Sequence, residues 1–336
     1  MYPFTSSWFL LPQGTGIIAV ILHTLPYQFR GLHVISIIFW IINLALLLLF
    51  SIFYLVRFLK SPRRLLSTIV SNTTEAACLA SICVASTSAI QMLAIVVVPA
   101  WKGPWSMIAL VLWWINFAMA VVSCLGIPII YVHSIHAEGG FIRSLTPTTQ
   151  LPLIAALTSA AGAGTLCKFA DLSQNQQIPM IIVSYLEIGV GVPLALALDI
   201  LFMIRVFQPW DQDTGAEPLV RAQVYTDMVL CGPWGQSSFA LQSLGAALLA
   251  LAPNMADTSM LLSPRAAETL GYASMFGGLL AWGQGTFWWV FAVASITRSN
   301  LNRWKNKSPL PFGLPTWAIV FPWVSALLPP TPNQTR

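Results

Sequence analysis

Glu187 lies near the middle of the apolar run Ile178 to Val206 and is the side chain whose type and place most invite chemistry. An ionisable group at that depth is costly to hold in hydrocarbon. It is therefore a candidate for proton coupling, with a buried, hydrogen-bonded or protonated structural Glu as the alternative. Asp199 follows twelve residues later. On a helix it is turned by a third of a revolution and displaced by about 18 Å, so the two acids cannot form one paired-carboxylate site. Asp199 is expected to pair with Arg205 at one membrane boundary, and Lys168 with Asp171 at the other. His23, His33, His133 and His136 stand near segment ends, and His133-Ser-Ile-His136 has no Cys or carboxylate placed to share a metal. Cys78, Cys83, Cys124, Cys167 and Cys231 lie in or beside apolar segments without metal-binding spacing and read as reduced small hydrophobes. No cofactor and no metal is expected. No GxSxG, Walker A, HExxH or dinucleotide fingerprint occurs in a supporting context, which argues against ATP-driven work and leaves an enzyme without catalytic groups.

The second chemical feature is backbone. Several apolar segments are interrupted by small residues and prolines where a plain anchor would carry Leu and Val. The first opens with Pro12-Gln-Gly14-Thr15-Gly16 and the fifth contains Thr158-Ser-Ala-Ala-Gly162-Ala-Gly164-Thr165. The seventh opens with Gly232-Pro233-Trp234-Gly235-Gln236 and the ninth contains Phe321-Pro322. Gly and Pro loosen the helical hydrogen-bond ladder, and freed amides or hydroxyls can replace the water around a passing ion. The interruptions fall on odd-numbered segments, as expected if one helix of each hairpin lines a path while its partner packs outside. The alternative is that small residues merely let helices approach closely.

The elements that must position these groups follow from composition. Of 336 residues, 57% are hydrophobic and 8% charged, against about 25% charged in soluble domains. A soluble fold of this length could not bury so much apolar surface, whereas a bilayer solvates it. A span needs about 20 apolar residues. Nine segments qualify or nearly so: approximately 8–25, 32–59, 75–98, 105–132, 151–169, 178–206, 229–251, 266–297 and 312–328. They form one transmembrane domain over 1–336, all-α because unpaired amides cannot face lipid. With the N-terminus inside, eleven cations fall on the inner side: Arg57, Lys60, Arg63, Arg64, Arg143, Arg205, Arg221, Arg298, Arg303, Lys305 and Lys307. Five fall outside, which is the positive-inside pattern and predicts a cytoplasmic N-terminus. The Asn72-Thr-Thr sequon then faces inward and is expected to stay unglycosylated. The net charge of +5 is spread along the chain, so no nucleic-acid partner is expected.

Five stretches carry a family resemblance. Gly14-Thr-Gly-Ile-Ile-Ala-Val-Ile-Leu-His-Thr-Leu-Pro-Tyr27, Leu112-Trp-Trp-Ile-Asn116, Leu145-Thr-Pro-Thr-Thr-Gln-Leu-Pro152, Gly232-Pro-Trp-Gly-Gln236 and Trp317-Ala-Ile-Val-Phe-Pro322 follow in register over nearly the whole chain. Together they resemble the fungal sulfite efflux pumps. That family also includes malic acid transporters, bacterial tellurite-resistance proteins and the slow-type anion channels of plant guard cells. The resemblance implies ten helices arranged as five hairpins around a central pore, a plasma-membrane homotrimer with one pore per protomer, and pore-lining odd helices. It also implies that Phe321, before the kinking Pro322, is an aromatic gate. Sulfite efflux is the activity it implies first, with export of a C4-dicarboxylate or other organic acid as the alternative. The sequence departs from the pattern in two places. Leu79-Ala-Ser-Ile-Cys83-Val-Ala85 stands where these pumps tend to have Gly and Pro, and only Trp323 to Leu328 precede Pro329-Pro330, so the tenth helix is apparently missing and a truncated, non-functional member is a further alternative.

Overall fold

The computed structural model describes residues 4–101, 103–135, 145–207, 224–255, 263–307 and 314–322. The described residues form helices and turns, with no strand among them. A 3-10 turn, Ser6–Phe9, leads into α1 (Leu10–Thr24), followed by α2 (Leu32–Lys60) and a short helix α3 (Pro62–Ser71). Next come α4 (Thr73–Met92) and α5 (Trp105–Ile135). A 3-10 turn, Pro147–Gln150, opens α6 (Leu151–Phe169), and α7 (Gln174–Phe207) returns. A third, Val224–Cys231, opens α8 (Gly232–Leu251), and α9 (Pro264–Lys305) returns. A last 3-10 turn, Leu314–Ile319, begins the ninth apolar segment.

Six helical stretches are long and apolar enough to cross a membrane: α2, Thr73–Trp101, Trp105–Val132, Pro147–Phe169, Gln174–Ile204 and α9. The sequence reading expected nine spans. Of the other three, α1 has 15 residues and α8 is rich in Gly and Ser, while the ninth segment is described only over 314–322. A physical reason lies in burial. The apolar stretches containing α4 and α6 are 78% and 94% buried, whereas those of α2, α5, α7 and α9 are 17%, 33%, 33% and 22% buried. The second group therefore presents Leu, Ile, Val and Phe outward, as lipid requires. The shielded group is free of that constraint and can carry Gln, Ser, Thr and Gly.

The packing pattern arranges these two groups as inner and outer layers. Each inner helix contacts the helix that follows it in an apolar hairpin: α1 with α2, α4 with α5, α6 with α7, and α8 with α9. The inner elements also contact one another in sequence, α1 with α4, α4 with α6, and α6 with α8. The Leu314–Ile319 turn touches both the 3-10 turn before α8 and α1, which closes a ring of five inner elements. An outer helix separates each consecutive inner pair, so the inner elements run parallel and begin at the same end.

Small residues set how closely the layers meet. On α9 the buried positions Gly271, Ser274, Gly278, Ala281, Gly285, Trp288 and Ala292 alternate by three and four, the spacing of one continuous helix face. A Cβ on Gly245 of α8 would stand 2.7 Å from the Gly271 carbonyl oxygen, so the two backbones are in contact there. The third segment continues past α4 through a π-turn, Leu93–Val97, just before Pro99. Its irregularity thus falls beyond the Leu79–Ala85 stretch, where proline removes a donor and the ladder widens. The expected missing tenth helix concerns residues 323–336, which lie outside the described residues, as do His136, Arg143 and the 208–223 connection.

Candidate functional site

Phe321 is 2% exposed and belongs to one apolar cluster with Leu10 of α1, Val84 of α4, Leu151 and Ile154 of α6, and Val229 before α8. That cluster draws on all five inner elements and also on Ala120, Ile127 and Tyr131 of α5. Pro322 follows it, and its carbonyl oxygen accepts from Cys231 Sγ at 3.6 Å.

The inner elements start with buried amides. Gln13 in α1, Gln150 at the head of α6 and Gln236 in α8 are all buried, and each has a side-chain amide atom without a hydrogen-bond partner: Oε1 in Gln13 and Gln150, Nε2 in Gln236. The Trp317 Nε1 of the ninth segment is likewise unpartnered. Polar groups this deep are ordinarily hydrogen-bonded; other unpartnered ones occur on the outer helices too, among them Asn43, Asn116 and Ser184. Because the inner elements are parallel, the positive ends of their peptide dipoles and the free amides of their first turns gather at the same mouth. No Lys or Arg is among the described buried polar side chains. The buried ionisable side chains among the described residues are acids, Glu75, Glu187, Asp199 and Asp227, so any attraction for an anion must come from dipoles.

The glycines and prolines singled out in the sequence take two kinds of position. A Cβ on Gly14 would meet Trp317 Nε1 at 2.8 Å, and one on Gly232 would meet Ile154 at 2.8 Å and Pro322 at 3.8 Å. These two stand beside the ninth segment. Others lie between helices: a Cβ on Gly16 would strike Asn43 of α2 and Ser88 of α4 at 2.8 Å, and one on Gly162 would strike Thr87 of α4 at 2.7 Å. Gly164 backs onto Ser243 of α8, where a Cβ would meet that residue's Cβ at 2.6 Å, and the Gly235 nitrogen faces Gly285 of α9. The Thr15 hydroxyl donates back to Leu11 and Pro12 carbonyls at 3.0 and 3.1 Å, and Pro233 sits in the first turn of α8 and accepts from Ser237.

Two clamps fix the starts of the inner elements. At the first, Glu75 of α4 pairs with Arg57 of α2, accepts from Ser6 N at 3.1 Å through Oε2, and takes the Ser6 hydroxyl on its own carbonyl at 2.7 Å. Asn72 caps α4, its Oδ1 accepting from Glu75 N at 3.1 Å, so the sequon side chain is used inside the fold. At the second, buried Asp199 of α7 accepts from Trp234 Nε1 of α8 at 2.7 Å and from Gln150. Asp199 was expected at a boundary beside Arg205. It instead joins the starts of the fifth and seventh segments, because N–H donors from both converge there; the Arg205 side chain lies outside the described residues. Lys168, expected to pair with Asp171, stands over the Phe169 ring at 5.2 Å. Neither clamp was visible in local spacing, although the Asn72/Glu75 pattern is a capping signal.

The Leu112–Asn116 stretch also acquires a reason. Trp113 packs over Gly162 and donates from Nε1 to Ser159 O at 3.0 Å, while Asn116 donates to Thr87 Oγ1 at 2.7 Å. Gln91 donates to Thr165 Oγ1 at 3.0 Å. These bonds tie α5 and α4 to the small-residue helix α6.

The profile of the voltage-dependent anion channel family matches residues 3–328. The chain belongs to that family. Sulfite efflux pumps of Arthroderma benhamiae and Trichophyton rubrum are each 29% identical to it over 323 residues, which is 95% of this chain and 78% of the pump. The malic acid transport protein of Schizosaccharomyces pombe is 26% identical over 328 residues, 95% of this chain and 68% of that protein. Family membership agrees with the fold above, a multi-pass helical membrane protein, and with transport of an anion.

Proposed function

We propose that this protein exports sulfite from the cell through the middle of its five-element inner ring. The observation that carries the reading is the ring itself, closed by Leu314–Ile319, with Phe321 in an apolar cluster its elements share. The parallel helix starts form the cytoplasmic mouth, where dipoles concentrate the anion. The first, third, fifth, seventh and ninth segments line the path as the inner members of nine spans. Fixed cations would hold an anion too long, whereas amide and hydroxyl dipoles attract it and let it leave. The free Gln236 amide nitrogen and the backbone beside Gly14 and Gly232 supply those dipoles. Phe321, hinged at Pro322, blocks the path at rest and opens it by moving aside. The protein works in the plasma membrane, as a homotrimer with one path per protomer, and performs no covalent step.

The likeness to a malic acid transport protein supports a second reading, export of a C4-dicarboxylate. Efflux of labelled sulfite and labelled malate from vesicles holding the purified protein separates the two. Faster, saturable sulfite efflux supports the first; malate efflux without sulfite efflux replaces it with the second.

A further inference from the structure

Between the inner and outer layers, away from Phe321, lies a polar constellation that the pathway above does not use. Glu187 of α7 is 4% exposed, and neither of its carboxyl oxygens has a hydrogen-bond partner. Ser184, one turn earlier on the same face, is fully buried with its hydroxyl unpartnered. Across the interface the buried Ser159 hydroxyl of α6 is also unpartnered and interacts with Glu187. This face of α7 is the one packed on α6, because a Cβ on Gly191, one turn further, would meet Leu157 at 2.9 Å. The Ser159 position is itself fixed, its carbonyl accepting from Trp113 Nε1 at 3.0 Å.

The surroundings hold no counter-charge. The titratable groups interacting with Glu187 from the other helices are the thiols of Cys83 on α4 and Cys124 on α5, and Cys83 is paired with Ser123 at 3.7 Å. α8 carries no titratable side chain, and Tyr185 turns away from the site to bond Ser274 of α9. A buried carboxylate facing two hydroxyls and no cation is poorly solvated as an ion. A proton removes the need for a counter-charge, leaving a neutral acid with one donor and one acceptor beside two serine hydroxyls that can serve either after side-chain rotation.

We propose that Glu187 is a proton site that loads together with the transported anion, with Ser159 as its contact to the inner ring. This rests on the anion pathway proposed above. Ser159 belongs to α6, whose Leu151 and Ile154 help form the Phe321 cluster. With Glu187 ionised, an anion in the ring is repelled by a like charge that nothing nearby neutralises. With Glu187 protonated, that repulsion is gone. Proton and anion binding then reinforce each other, and by linkage the reinforcement is reciprocal. The proton arrives from water at one face, forms an O–H bond on Glu187, and leaves as that bond breaks toward water on the other, so anion and proton travel in the same direction.

The test uses the purified full chain in vesicles at clamped membrane potential. For one proton per anion, each pH unit of imposed gradient drives about a tenfold steady-state sulfite accumulation beyond that set by potential. Glu187→Gln keeps the volume and the hydrogen bonds, and is expected to transport sulfite while losing the Glu187-dependent part of that response; comparing the two in identical vesicles cancels the protonation of sulfite itself. A Glu187→Gln protein with the wild-type gradient response overturns the proposal. A second readout needs no transport. Difference infrared spectra should contain a protonated-carboxyl band that is lost in Glu187→Gln, moved in Ser159→Ala, and altered by adding sulfite. No such band, or one indifferent to sulfite, also overturns it. If the band responds but no anion crosses the membrane, the proton site stands and the transport reading falls.

Discussion

Truncating Phe321 to Ala separates a gate from a packing residue. The ring is 2% exposed and touches a cluster drawn from every inner element. In cores of this density Phe→Ala costs about 3–5 kcal/mol, part of it for the cavity left behind. If those contacts hold the path closed, opening must break a large share of them. Taking about 3 kcal/mol of that cost as the closed-state preference, the open fraction rises by roughly a hundredfold at 1.4 kcal/mol per tenfold. Sulfite flux of Phe321→Ala in vesicles should therefore rise by at least about tenfold and level off once opening no longer limits. Phe202→Ala is the control, because Phe202 is equally buried but packs on Trp288 outside the ring. It should lower thermal stability without raising flux. Unchanged flux in Phe321→Ala, with a stability loss like that of the control, would refute the gate.

The remaining predictions concern the scaffold. Arg57→Ala leaves the buried Glu75 carboxylate unpaired and should cost about 3–5 kcal/mol in detergent unfolding, while Arg57→Ala with Glu75→Ala should recover part of it. Trp234→Phe removes a donor to Asp199 and should destabilise by about 1–3 kcal/mol. Gly164→Val, driven into the Ser243 backbone, should cost more than about 2 kcal/mol. Gly126→Ala, with nothing within 4 Å of the new Cβ, should instead stabilise α5 by about 0.5–1 kcal/mol.

Much of this architecture is written in local composition. The Leu and Ile runs of α2 and α5 identify lipid-facing helices, and the Ala and Gly run of α6 identifies a shielded one. The difference follows from what each must touch. The clamps are another matter. Ser6 and Glu75 are 69 residues apart, and Trp234 and Asp199 are 35 apart. Only the closed ring brings their donors and acceptors together, so no local spacing encodes them. The Gly271 to Ala292 stripe shows the opposite case. Its three-and-four spacing is plain in the sequence, but the helix was read by mean hydropathy, which does not distinguish a face from a composition. The glycines show the limit of reading by residue type. Gly16 and Gly162 share the character of Gly14 and Gly232, yet they sit between helices while the latter pair borders Trp317, Val320 and Pro322 of the ninth segment.

The central claim is that an anion moves inside the ring of α1, α4, α6, α8 and the ninth segment. Single cysteines test it most directly, in a background lacking the five native cysteines and carrying Phe321→Ala. An anionic thiol reagent should block sulfite flux through Gln236→Cys and Leu151→Cys, with sulfite slowing the reaction, and leave Leu280→Cys on the exposed face of α9 unaffected. Block at Leu280→Cys, with Gln236→Cys and Leu151→Cys inert, would contradict the account.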